Sequence, residues 1–103
     1  MGEPPEPQDN RPPAVGLLCA SLVDDKAAAE TALREIADRH GYELVHVVYW
    51  WSRDPAGFWS AWLRDALNRR QAHAIVMISQ QHAKGYNLNS YGRVLTPTTP
   101  AAE

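Results

Sequence analysis

Short apolar runs alternate along this chain with stretches whose apolar residues recur every three or four positions, and few folds accommodate that order. The first run, Ala14 to Leu22, is bounded by Pro13 and by Asp24-Asp25. It does not alternate with polar residues, as expected of a strand buried on both faces. Asp24 or Asp25 can cap a helix in which Ala29, Ala32, Leu33, Ile36, Ala37 and His40 share one side, and Gly41 ends it as a left-handed cap. Leu44, Val45, Val47, Val48, Tyr49 and Trp50, interrupted only by His46, predict a second strand. Asp54-Pro55 has the order of a helix start, and Phe58, Trp59, Trp62, Leu63, Ala66 and Leu67 follow at helical spacing. This apolar side covers about 180° of a wheel drawn at about 100° per residue, wider than packing on one sheet requires. Part of it is therefore expected to face a second chain. Ala74 to Ser79 predicts a third strand, and Arg93 to Thr96 a short fourth, after an irregular stretch containing Gly85, Asn87, Asn89 and Gly92.

Strand and helix alternating over short connections imply right-handed crossovers and an α/β class: a small, mostly parallel sheet with helices on both faces. Residues 1–13, with Pro4, Pro5, Pro7, Pro12 and Pro13, are expected to be a disordered lead-in, and residues 97–103 a disordered tail. The ordered domain is then 14–96. A domain of that size buries about 60–65% of its unfolded surface, is marginal alone and would gain from a partner. Ten basic against twelve acidic residues give a net charge of −2, so any contact with DNA is expected to be local and weak. The single cysteine, Cys19, excludes an internal disulfide. No apolar run approaches the roughly 18–20 residues of a membrane span, and nothing resembles a secretion signal, so the cytoplasm is the expected compartment and no membrane a partner.

In open parallel sheets the functional crevice lies beyond the carboxyl ends of the strands. That rim collects Ser21, Asp24 and Asp25, then Ser52, Arg53 and Asp54, then Ser79, Gln80, Gln81, His82 and Lys84. Ser21, Arg53, Ser79 and His82 are the candidate set for a small ligand or nucleotide. A nucleophilic Ser21 would need a base, and His82 and Lys84 are the nearest candidates, on another loop. His40, His46, His73 and His82 show no pair at metal-ligand spacing, so neither a metal nor a cofactor is expected. Cys19 reads as a small buried hydrophobe, and His40 as a residue favoured at a helix C-terminus by the dipole. Arg64, Arg69, Arg70 and His73 cluster near the end of the second helix, where they suit nucleic-acid phosphates or simply the dipole. Tyr86, Asn87, Asn89 and Tyr91 form a polar aromatic loop that suits a pocket wall or a turn. Four tryptophans are more than a small sheet can cover. Trp51, Phe58, Trp59 and Trp62 are accordingly expected to form an exposed patch, the interface of a homodimer or of a complex with a related protein, the alternatives being a base-stacking or ligand platform and an ordinary core.

Val15-Gly16-Leu17-Leu18-Cys19-Ala20-Ser21, the following Asp24-Asp25, the helix running to His40-Gly41-Tyr42-Glu43-Leu44, and Arg53-Asp54-Pro55-Ala56-Gly57-Phe58 together resemble the N-terminal domain of serine recombinases, the resolvase and invertase family. The resemblance covers roughly residues 14–80. It places Ser21 on the family's nucleophile and Arg53 on an active-site arginine. Cys19 stands where that family has a first-strand arginine, Leu17 replaces a tyrosine, and Trp50-Trp51 replace the acidic end of strand two. Gln81, His82, Ala83 and Lys84 replace an Asp-Arg-Leu motif. Serine attack on a phosphodiester needs several guanidinium groups around the phosphate, so Ser21 and Arg53 are read as vestigial and no catalytic set is expected. Nor does the sequence to residue 103 carry the family's long dimerisation helix or its helix-turn-helix. The expectation is a catalytically degenerate, resolvase-like accessory or regulatory module that acts by protein association.

Overall fold

A computed structural model describes residues 11–51, 53, 56–83 and 86–98. Four strands, β1 (Pro13–Cys19), β2 (Glu43–Trp50), β3 (Ala74–Val76) and β4 (Arg93–Leu95), form one sheet in the order β2-β1-β3-β4. Every pairing in it is parallel. Helix α1 (Lys26–Arg39) joins β1 to β2, and α2 (Ala56–Arg69) joins β2 to β3. The expected α/β class is the class observed. Asp54 and Pro55, expected to start the second helix, lie outside the described residues, as do Ser52, Lys84, Gly85, the lead-in up to residue 10 and the tail from residue 99.

Alternation along β1 explains why its sequence looks uniformly apolar. Val15, Leu17 and Cys19 point into a core shared with Trp59, Leu63, Ala66 and Leu67 of α2, whereas Ala14 and Leu18 point into one shared with Ala29, Leu33, Ile36 and Ala37 of α1. Both faces are covered, so no polar phase is needed. On β2 the pairing passes from Ala14↔Leu44 to Val15↔His46, skipping Val45. This bulge puts Leu44, Val47 and Tyr49 on the α1 face and Val48 and Trp50 on the α2 face. The Tyr49 hydroxyl donates to Glu30 on α1, and burial, then that bond and the Glu30 charge, push its pKa up to about 12.

Several strand boundaries differ from the sequence reading. The first run turns at Ala20–Leu22 into a 3-10 turn instead of continuing as strand to Leu22. The third strand stops at Val76 and not at Ser79, and the fourth at Leu95. A strand lasts only as long as its neighbour pairs with it, and β3 meets β1 only at Ile75 and Val76. At the other end β1 begins at Pro13, and Arg11 pairs with Asp38 of α1.

Asp25 is the cap of α1, its side chain accepting from the Ala28 N–H at 3.1 Å. Gly41, at φ +79°, closes that helix while the Tyr42 N–H donates to the Ala37 carbonyl at 2.8 Å. Gly16 serves a different need, the close approach of α1 to the sheet. A methyl group there would sit 2.7 Å from Leu33 Cδ1 and 3.3 Å from Leu44 Cδ1. Gly16→Ala should therefore cost about 1–3 kcal/mol by overpacking. Urea unfolding should show a lower midpoint at unchanged slope, and a second substitution, Leu33→Val, should restore part of it.

Candidate functional site

The order β2-β1-β3 reverses direction between β1 and β3, so the point beyond their carboxyl ends is where a ligand crevice would open. The chain fills that point itself. A 3-10 turn, Gln80–Ala83, folds over it, and His82 lies buried there. The His82 Nδ1 accepts the Cys19 N–H at 2.9 Å, while its carbonyl accepts Trp50 Nε1–H at 2.9 Å. An imidazole accepting at Nδ1 carries its proton on Nε2, and burial lowers its pKa further into the neutral form. No lone pair remains for general-base work.

The rim predicted from Ser21, Arg53, Ser79 and His82 is thus corrected at His82, which is a plug held by backbone and indole and not an open ligand contact. Ser21 is exposed on the 3-10 turn after β1, Ser79 is half-buried after β3, and exposed Arg53 lies over the Trp51 ring at 5.7 Å. Cys19 is buried. His40 is buried at the C-terminal cap of α1, where the sequence placed it, and burial, then Arg93 and Arg39, lower its pKa, which works against a charged ring interacting with the dipole. Among the described residues no three His, Cys, Asp or Glu side chains gather as a metal site, and no helix is long and apolar enough to cross a membrane.

The aromatic set divides. Trp59, expected in the exposed patch, is fully buried, stacked on Trp50 at 5.0 Å and 19° and edge-on to Tyr86 at 5.7 Å. The phase of α2 points it at the sheet together with Leu63. Phe58, Trp62 and Trp51 are exposed by 60%, 48% and 46%. Phe58 and Trp62 lie one helical turn apart with centroids at 6.4 Å, on the flank of α2 beside edge strand β2. Trp62 shares a groove of about 400 Å³ there with His46, Asp65, Arg69 and Arg70.

The basic cluster at the end of α2 also divides. Arg69 and Arg70 flank β2, with Arg69 paired to Asp65 at 2.8 Å. Arg64 and His73 lie on the opposite flank, in a cleft of about 600 Å³ at the amino-terminal end of the sheet. Its floor is Leu67 and Ala72, and its walls include Asn68, Gln71, Ser90 and Tyr91. The polar aromatic loop is pinned here: Leu88 is buried, the Arg93 N–H donates to the His73 carbonyl at 2.8 Å, and a methyl group on Gly92 would sit 2.5 Å from that carbonyl oxygen. Arg64 and His73 thus meet Tyr91 of a loop read separately in the sequence. Asn68, Gln71 and Ser90 were not foreseen. The i,i+4 spacing of Arg64 and Asn68 was the available signal, and Gln71 had none. Comparison with protein-family models, with curated proteins and with solved structures finds no match to this chain.

Proposed function

We propose that this chain acts by pairing with a second copy of itself, as a recombinase-like accessory domain that does not cleave DNA. The exposed aromatic flank carries the reading. Phe58 and Trp62, in ring contact on α2, and Trp51 just after β2 each leave about half of a large ring in water, about 100 Å² apiece, and aromatic rings exposed beside an unpaired sheet edge support an association surface. Aromatic rings at the centre of an interface contribute most of its affinity.

The absence of cleavage rests on the rim. His82 has no lone pair to offer Ser21, and Arg53 is the one arginine that follows a strand's carboxyl end among the described residues. One guanidinium does not hold a phosphodiester for in-line attack.

Sedimentation velocity across protein concentration tests the pairing. The wild type should sediment as a dimer with a micromolar dissociation constant, and the double variant Phe58→Ser, Trp62→Ser as a monomer. Because both rings are exposed, the variant should keep its far-UV circular dichroism and most of its thermal stability. A wild type that stays monomeric at the highest concentrations, or a variant that still dimerises, overturns the proposal.

A further inference from the structure

We propose that the cleft between α2 and the 86–92 loop binds a small organic anion, a carboxylate or a phosphate ester, through Arg64. Three observations meet there. The first is charge: among the described residues no carboxylate lines the main cleft, and Asp65, which lines only the recess beside it, is paired on the surface with Arg69. The Arg64 guanidinium instead rests over the Tyr91 ring, 4.8 Å from its centroid. A planar cation held on an aromatic face keeps its edge hydrogens for a forked oxyanion.

The second is the lining. Asn68, Gln71 and Ser90 offer neutral donors and acceptors around that one cation. Arg64, Asn68 and Tyr91 also line an adjoining recess of about 430 Å³, where the presence of Asp65 makes the main cleft the better seat for an anion. The space exceeds what an inorganic ion fills and lies in the usual range of small-molecule sites. The third is the backbone at Gln71, which has φ +53° where the chain leaves α2. The Ala72 N–H donates to the Leu67 carbonyl at 2.9 Å, the same closure that Gly41 makes after α1. Glycine serves that position best, so a glutamine there carries a backbone cost, and a role for its side chain in the cleft it lines would explain that cost.

Isothermal titration calorimetry with succinate, adenosine 5′-monophosphate, inorganic phosphate and a short duplex DNA tests this. Succinate or the nucleotide should bind with a Kd below about 1 mM and more tightly than inorganic phosphate, and which of the two wins separates carboxylate from phosphate recognition. Arg64→Gln should weaken that binding at least about tenfold, whereas Arg69→Gln, on the other flank, should leave it unchanged. Gln71→Gly should weaken binding while raising Tm by about 4 °C, a pairing of effects that a purely structural Gln71 would not produce. The Phe58→Ser, Trp62→Ser variant should bind the anion like wild type, which keeps this test separate from that of dimerisation. Failure of every small anion to bind below about 10 mM, binding that survives Arg64→Gln, or binding of the duplex alone overturns the proposal.

Discussion

Trp59→Ala should remove about 3–5 kcal/mol, a large part of what a domain of this size has. The indole is fully buried and joins three parts of the chain, stacking on Trp50 of β2, meeting Tyr86 of the later loop edge-on and anchoring α2 on the sheet. Alanine leaves a cavity that the paired strands cannot close. Trp59→Phe should cost only about 1 kcal/mol, since it keeps a ring in the stack and removes a buried Nε1–H that has no acceptor. Urea unfolding followed by far-UV circular dichroism, which does not depend on the deleted fluorophore, would give both values. A loss below about 1 kcal/mol for Trp59→Ala would show that this ring is not in the core.

The second large effect is acid sensitivity centred on His82. Burial holds the folded-state pKa of His82 below 6.5, and burial with Arg93 and Arg39 does the same for His40. Unfolded imidazoles take up protons near pH 6.5 that the folded rings refuse, so the unfolded state binds more protons there. Stability is therefore complete above pH 6.5 and falls as the pH drops below it, levelling off only once the lowered folded-state values are passed. The slope cannot exceed about 1.4 kcal/mol per pH unit for each histidine. Exposed His46 shifts in the same direction, through burial and Arg70, and contributes less. His82→Leu should cost about 1–3 kcal/mol at neutral pH by stranding the Cys19 N–H, and should make the loss below pH 6.5 shallower by one histidine. Denaturant midpoints of both proteins from pH 7.5 to 5 would decide it. An unchanged slope in the variant would show that His82 keeps its ordinary pKa in the folded protein.

Much of the architecture is legible in the sequence because it follows from local rules. The unbroken apolar β1 implies helices on both sheet faces, Asp25 and Gly41 bracket α1, and the spacing of Trp59, Leu63, Ala66 and Leu67 sets the buried side of α2. The candidate sites are less legible. Trp59 and Trp62 sit on the same apolar arc and look equivalent until the sheet is docked, when one becomes core and the other surface. Arg64 and Arg69 read as one basic cluster, yet they project from opposite flanks of α2 and only Arg64 meets the Tyr91 loop.

Composition, periodicity and end signals thus determined by themselves the class, the succession of strands and α-helices, and the presence of more aromatic surface than the sheet can cover. Tertiary structure alone decided where strands stop, because β1 and β3 last only as long as their pairing. It alone turned His82 from a rim residue into a plug, because its acceptor, Nδ1, meets a donor 63 positions away. It also made the Arg64 cleft, because residues 64–73 and 88–92 come together only when the 86–92 loop closes on the His73 carbonyl. Local signals report the energy of a residue with its near neighbours; a site is made by residues distant in sequence, whose meeting depends on how the whole core packs.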